Sequence, residues 1–411
     1  MRRVAITGLG AVSPLGLTAD ATYANACAGA CAIGPLRISD RDQISHMLRQ
    51  PIAAQITDFV PVAGADDRLA EFYDRASQFC MAAAREAVAD SGLEFGSGMD
   101  SHLAHRTAVV TGTGCGGVNT TEDGLFRIYF EGRPRVHPLT VPRLMPSATA
   151  SNISIAFGLT GPSFTITSAC ASAAHAIGEA WTMIRTGRAD AALAGGCEAP
   201  ITFGSIIAWQ GLRVMSSKAC RPFSARRDGM VLGEGAGILV LEDMEGARAR
   251  GARIYGELSG YGLSADAASM VEPSLEGCAS AIRQCLGGMG PGADRIGYIN
   301  AHGTGTLAND ETEARALRAV FGDGLDRIWV SATKSMHGHA LGASPAIELV
   351  LAIRAMSDRV LPPTIGLDDP DPACALRHVR NEAVEADVGA VMSNSFAFGG
   401  LNAVLAVQRA D

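Results

Sequence analysis

The sequence predicts an α/β protein built from two similar halves, and three observations carry that reading. Short β-branched or apolar runs that read as buried strands recur along the chain, and most end in a glycine-rich or small-residue turn. Runs of helix formers follow several of those turns, the alternation that a sheet covered by helices produces. After Gly251 the order of elements starts again: a strand from Arg253 to Gly260, a helix from Gly277 to Leu286, a strand from Ile296 to Asn300 and another glycine-rich turn. The order repeats and the residues do not, so the duplication is one of architecture. A length of 411 residues exceeds one ordinary core and suits two halves, residues 1–251 and 252–411.

Val4 to Thr7 opens the first half as a strand, and Gly8-Leu9-Gly10 begins like a dinucleotide-binding turn. The pattern fails at its third glycine, because position 13 is Ser13, Pro14 follows, and no strand with an acidic end comes about twenty residues later. The two glycines are therefore expected in a tight turn that ends the strand. Residues 36–70 are polar and unperiodic, a surface excursion. From Arg75 to Ser91, Ala76, Phe79, Cys80, Ala83, Ala87 and Val88 keep a helical period that Gly92 closes. Thr107 to Thr111 reads as a buried strand. The glycines from Gly112 to Gly117 lack the lysine of a phosphate loop and read as a wall where backbones approach closely.

Residues 118–145 form a polar, proline-interrupted insertion suited to a lid or a subunit contact. Met145 to Phe157 reads as a helix. Phe164 to Thr167 is β-branched and aromatic, as a buried strand would be, and Ala173 to Thr186 is a helix stopped by Gly187. Ala191 to Gly196 and Ile238 to Glu242 are further strands, separated by Ile201 to Met215 and by an arginine-bearing loop from Arg221 to Met230. Glu245 to Arg250 closes the half at Gly251.

Composition excludes several classes. A formal charge of −8 leaves no overall basic field, so nucleic acid is not an expected ligand. No apolar run reaches membrane-spanning length, and Met1-Arg2-Arg3 leads into a strand rather than a signal peptide, so a cytoplasmic protein is expected. The ten cysteines are scattered without metal-ligand spacing and read as reduced, mostly buried thiols. Lys218 and Lys334 are the chain's two lysines, so a lysine inside a motif carries weight.

Ser168-Ala169-Cys170-Ala171-Ser172 sits where a strand gives way to a helix. There the unpaired N–H groups and the dipole favour an anion, either a thiolate or the oxyanion formed when it attacks a thioester. A cysteine flanked by alanines is by itself a small core residue, so the reading needs partners. Three motifs supply them, each after a second-half strand: His302 to Thr306, Thr333-Lys334-Ser335 to His339, and Ser393 to Gly400. Imidazoles donate to a carbonyl without carrying full charge, and a nearby lysine tunes them and orders a carboxylate. Threonines beside glycine suit an uncharged tether. The combination points to acyl chemistry.

Ala169-Cys170, His302-Gly-Thr-Gly-Thr, Thr333-Lys334-Ser335 to Gly338-His339, and Asn394-Ser395-Phe396 to Gly399-Gly400 together resemble a β-ketoacyl-acyl carrier protein synthase of the type II elongating class. The Arg3-Val4-Ala5-Ile6-Thr7-Gly8 opening and the Arg221 to Gly235 block extend the resemblance over nearly the whole chain. It implies a thiolase-type fold of two α/β halves in five αβαβα layers, usually dimeric. It implies that Cys170 takes an acyl chain from a carrier-protein thioester, with the N–H groups of Cys170 and Phe398 as oxyanion hole. His302 and His339 would then assist decarboxylation of a malonyl thioester, whose enolate extends the chain by two carbons. Lys334 would position His302, with Glu348 as a supporting carboxylate, and Thr304 and Thr306 would hold the phosphopantetheine arm. The resemblance implies no cofactor. Asn300, Glu348, Ser393 and Asn394 match positions that hold a buried monovalent cation in some relatives, although internal hydrogen bonding explains the same residues.

Departures from the family narrow the reading. Ala397 replaces a glycine before the gating Phe398, Leu401 a threonine, Met230 a phenylalanine of the malonyl site, and His337 a small hydroxyl residue. With Cys115 where a side chain sets pocket depth, the pattern is similar to the nodulation-factor and polyene subgroup rather than to housekeeping fatty-acid elongation. Arg75, Arg127 and Arg213 are expected to meet an acidic carrier protein, while the subunit partner is a second copy or a chain-length-factor-like homologue. A non-catalytic chain-length factor lacks the nucleophilic cysteine that Cys170 supplies, and a thiolase needs a second catalytic cysteine.

Overall fold

The computed structural model describes residues 1–38, 47–49, 51–61, 73–95 and 101–411. The strands of its main sheet, in chain order, are β1 (Val4–Val12), β2 (Thr107–Gly112), β3 (Ser163–Ile166), β4 (Ala191–Glu198), β5 (Gly235–Asp243), β6 (Gly256–Ala265), β7 (Ile296–Asn300), β8 (Trp329–Ser331), β9 (Arg377–His378), β10 (Ala390–Ala397) and β11 (Leu401–Gln408). They form one sheet ordered β9-β8-β7-β10-β11-β6-β1-β5-β4-β2-β3. In the first half β1 and β5, then β5 and β4, pair antiparallel, whereas β4, β2 and β3 run parallel. In the second half β6 and β11, then β11 and β10, pair antiparallel, and β10, β7, β8 and β9 run parallel. Without the rim strand β9, both halves therefore cross the sheet as first, fifth, fourth, second, third. The halves meet where Ala5 pairs with Glu257 and Ile6 with Gly256.

The helices include α1 (Arg75–Ser91), α2 (Val118–Tyr129), α3 (Thr140–Leu144), α4 (Ala148–Phe157), α5 (Ser172–Arg185), α6 (Phe203–Leu212), α7 (Leu275–Met289), α8 (Leu307–Phe321) and α9 (Ser344–Asp358). α5 and α9 are mostly buried and pack on each other between the two halves of the sheet, while α1 covers one outer face and α7 the other. That gives the five layers of a thiolase-type fold. α5 has small residues on most sides (Ala173, Ala174, Ala176, Gly178, Ala180), so a helix enclosed by strands fits without voids.

Several elements follow the sequence reading and several correct it. α1 spans Arg75–Ser91 as expected, capped by Asp74 and closed by Gly92 in the left-handed conformation at φ +68°. Gly8 and Gly10 do not end β1, which continues to Val12. Their role is contact: a Cβ would lie 2.1 Å from the Ala87 carbonyl at Gly8 and 2.0 Å from that of Ala83 at Gly10, so α1 rests directly on the strand. The helix expected from Met145 starts at Ala148, after Pro146 breaks it from α3. The insertion 118–145 folds as α2 and α3. Much of the 36–70 excursion lies outside the described residues. Residues 250–255 join the halves, between the helix Met244–Ala249 and β6.

Candidate active site

β3 ends at Ile166, and a single 3-10 turn, Ala169–Ala171, carries the chain into α5. Ala169 takes φ +49°, a left-handed conformation that costs a non-glycine residue about 1–2 kcal/mol. Ser172 Oγ donates to the Ala169 carbonyl at 2.7 Å and accepts from the Ser168 N–H at 2.9 Å, locking the turn. Cys170 is thereby held at the start of α5, 6% exposed. Its Sγ lies 3.1 Å from His339 Nε2, and His339 Nδ1 lies 3.0 Å from Ser344 Oγ at the start of α9.

His302 follows β7, and its ring stands edge-on to that of His339 with centroids 5.5 Å apart. The N–H groups of His302 and Gly303 each donate to Glu313 of α8 at 2.8 Å, and Asn394 Nδ2 donates to the same carboxylate at 3.0 Å. Lys334 is fully buried; its Nζ donates to the His302 carbonyl at 2.6 Å and to Glu348 Oε1 at 2.5 Å. Lys334 thus fixes the backbone of His302 rather than its ring. The third motif is not a loop as expected: β10 runs through Ser393, Asn394 and Phe396 to Ala397, and the turn is confined to Phe398–Gly400 before β11. Gly399 and Gly400 take φ +81° and +70°, the conformation a tight hairpin needs.

Electrostatics follow from burial. The Cys170 thiol is pushed up to about 12, chiefly by desolvation, with Lys334 pulling the other way. His302 and His339 are held well below the usual imidazole range by burial and then by the Lys334 charge. The resting trio is therefore a neutral thiol and two neutral imidazoles, each imidazole with one N–H to give. Glu348 is pushed up to about 7 by burial, against the opposing pull of Lys334.

A cavity of about 650 Å³ opens in front of these groups, lined among others by Cys170, His302, His339, Thr304, Thr306, Met230, Phe396 and Phe398. Thr304 and Thr306 hydroxyls are 2.9 Å apart on its wall. Trp209 of α6 stacks on Phe398, ring centroids 5.9 Å apart and planes 26° from parallel. The structure thus gathers Cys170, His302, His339, Lys334, Glu348, Thr304, Thr306, Met230 and Phe398 at one site.

Other expected residues fall elsewhere. Cys115 is exposed on the single chain and does not line the cavity; its N–H is turned inward. Arg75 is not a free surface cation, because its guanidinium grips buried Glu234 at 2.8 and 3.0 Å and the Ile56 carbonyl at 2.6 Å. Arg213 is exposed at the end of α6, and Arg127 is exposed on α2 beside Glu122 and Asp123 in a polar cleft. Glu313, Ser344 and the Trp209 contact escaped the motif reading. Glu313 had one signal, an acid three residues after Asp310 on a face of α8 that is buried at both positions.

Residues 1–247 match the family described as β-ketoacyl synthase, N-terminal domain, and residues 255–368 match its C-terminal domain. The chain belongs to the β-ketoacyl synthase family. The synthase is 43% identical to nodulation protein E of Rhizobium sp. (strain N33) over 408 residues, 99% of each chain. It is 39% identical to 3-oxoacyl-[acyl-carrier-protein] synthase 2 of Staphylococcus aureus (strain COL) over 415 residues, covering 99% of this chain and 98% of that one. Among solved structures it resembles the ishigamide ketosynthase/chain length factor, with a TM-score of 0.91, 36% identity and full coverage of both chains. The synthase is a ketosynthase, an acyltransferase-type condensing enzyme of the fatty-acid and polyketide kind.

Proposed function

We propose that this ketosynthase extends an unsaturated acyl chain in a specialised pathway, with Cys170 as the nucleophile. The 3.1 Å contact between Cys170 Sγ and His339 Nε2, inside a cavity that also holds His302 and both threonines, carries the reading. In the first stage Sγ attacks the thioester carbonyl of an acyl chain carried on the phosphopantetheine of acyl carrier protein. The thiol proton ends on the departing pantetheine sulfur, and the N–H groups of Cys170 and Phe398 face the oxyanion. In the second stage a malonyl thioester loses carbon dioxide, and the freed electron pair moves onto its carbonyl oxygen, held by His302 and His339 as neutral donors. The enolate carbon attacks the acyl-cysteine and expels the Cys170 thiolate, which recovers a proton. Neutral imidazoles suit this step, since they strengthen their hydrogen bonds as the oxygen gains charge. No cofactor enters either stage.

The similarity to nodulation protein E and to the ishigamide ketosynthase, with His337 and Ala397 at the departing positions, supports the specialised pathway. Of the three expected arginines, Arg127 and Arg213 are exposed and would meet an acidic carrier protein. Asn300 Oδ1, Glu348 Oε2, Ser393 Oγ and Asn394 Oδ1 are buried without a hydrogen-bond partner among the described residues. One carboxylate among neutral oxygens fits a monovalent cation. These four side chains would hold it, and the ion would satisfy the oxygens that the Lys334–Glu348 pair leaves without a partner.

Intact-protein mass spectrometry after incubation with acyl carrier proteins bearing saturated or polyunsaturated chains tests the reading. Wild type is expected to gain one acyl group and Cys170→Ala none, with the polyunsaturated chains loading faster. An adduct that persists in Cys170→Ala refutes the nucleophile, and a preference for saturated chains refutes the specialised pathway.

A further inference from the structure

We propose that Glu198 is a positioning residue of the condensation, a carboxylate clamp that ties the 113–115 loop, which packs on the turn carrying Cys170, to the turn that follows His339. The inference rests on the assignment of Cys170 and His339 as the reacting pair. Glu198 is the last residue of β4, fully buried, and no motif in the sequence singles it out. Its Oε1 accepts from Thr113 Oγ1 and the Cys115 N–H, both at 3.0 Å. Its Oε2 accepts from the Gly114 N–H at 2.6 Å and the Gly342 N–H at 3.0 Å. Four donors from two separate loops converge on one carboxylate, and none of them belongs to a cation.

One loop packs on the turn of a reacting group, and the other follows the second reacting group in the chain. On one side Gly114 packs against the nucleophile turn: a Cβ there would lie 3.7 Å from the Ala169 carbonyl and 2.9 Å from Glu198 Oε2. On the other side Gly342 follows Leu341, which takes φ +43°, and lies three residues from His339. A Cβ on Gly342 would lie 2.5 Å from the Gly114 nitrogen and 2.7 Å from Glu198 Oε2, so the two loops approach as closely as glycine allows, with the carboxylate between them. The Cys170 to His339 contact is the product of both placements.

The chemistry requires a carboxylate. Its two oxygens offer four acceptor sites to four donors. Glutamine would turn an NH₂ toward two N–H or O–H donors, and aspartate is one methylene too short to reach both loops. Burial pushes Glu198 up to about 7 against these four hydrogen bonds, so above neutral pH it stands as a negative charge that helps raise the Cys170 thiol.

The test compares wild type with Glu198→Gln, with Gly342→Ala, which displaces the carboxylate from one side only, and with Glu242→Gln. Glu242 is a buried carboxylate paired with Arg250 and Thr7, remote from the cavity. Single-turnover acylation of Cys170, KM for the acyl carrier protein, the pH profile of iodoacetamide alkylation at Cys170 and the melting temperature are read for each. Glu198→Gln and Gly342→Ala are expected to slow acylation at least tenfold with KM unchanged within twofold. In Glu198→Gln the midpoint of Cys170 alkylation is expected to move to lower pH, because a negative charge beside the thiol is gone. Glu242→Gln is expected to lower the melting temperature alone. Acylation within twofold of wild type in a folded Glu198→Gln or Gly342→Ala, or an alkylation profile of Glu198→Gln superimposable on wild type, overturns the clamp alone. Absence of any adduct on Cys170 in wild type overturns the clamp together with the assignment of the nucleophile.

Discussion

One backbone angle and one run of buried polar side chains set the chemistry at the scale of single residues. Ala169 holds φ +49° where glycine would be free of strain, and the fixed turn aims Cys170 Sγ at His339. Behind that pair, His337 Nε2 contacts Thr333 Oγ1 at 3.0 Å, and Thr333 Oγ1 accepts from Asn300 Nδ2 at 3.2 Å. His337 is fully buried, and burial first and the Lys334 charge second push it down to about 3. In the unfolded chain an imidazole titrates near 6.5. Between those values the unfolded chain binds a proton that the folded chain refuses, so stability falls as the pH falls, by about 1.4 kcal/mol per pH unit for this group. In His337→Gln that contribution vanishes. Urea unfolding at pH 7.5, 6.0 and 5.0 is expected to show the free-energy gap between variant and wild type moving toward the variant by about 2 kcal/mol over the range. A gap that stays constant means His337 is not held neutral in the folded protein.

Elements were legible where a period or a cap fixed them, and illegible where the deciding partner lies far along the chain. The alternation in α1 and its closing Gly92 specify that helix from local residues alone. Cys170, His302, Lys334 and His339 were legible as strand-end motifs because loops at neighbouring strand ends share one rim of a sheet. Gly8 and Gly10 read as a turn, since no local signal reports that α1 lies on them. Arg75 read as a surface cation because Glu234 is 159 residues away. Ser393 to Ala397 read as a loop, although pairing with β11 keeps them in the sheet. The contact between β1 and α1 can be measured. Gly10→Ala places a methyl 2.0 Å from the Ala83 carbonyl oxygen, an overpacking that α1 relieves only by moving away from the sheet. A loss of about 1–3 kcal/mol in unfolding free energy is expected. Gly211→Ala near the end of α6 meets nothing within 4 Å and removes a helix glycine, so it is expected to be neutral or stabilising by up to about 1 kcal/mol. Equal effects of the two substitutions would mean that backbone entropy, not contact with α1, explains Gly10.

For the whole molecule, several of the large apolar side chains exposed on the single chain belong to the first half. Tyr129 is 82% exposed and Phe130 60%, both from the end of α2, while Val141 of α3 is 63% and Ile155 of α4 69%. Leu125, Leu139, Met145 and Phe164 are exposed as well, and β3, which carries Phe164, is the edge strand of the sheet. An open edge flanked by large apolar side chains pairs with another chain unless something blocks it, and neither proline nor charge occurs within β3. The second copy expected as subunit partner would cover these side chains by extending the sheet across the β3 edges. The same cover would reach exposed Cys115, because its loop packs through Gly116 and Gly117 against Leu144 and Pro146, next to Met145. The chain purified alone is expected to sediment as a pair of 42.5 kDa subunits at micromolar concentration, and Tyr129→Asp/Val141→Asp as a monomer. The double variant is also expected to protect Cys115 less against a maleimide than wild type does. A monomeric wild type with Cys115 fully reactive would place a homologous subunit, rather than a second copy, on this face, and co-expression with that homologue would then restore both the larger species and the protection.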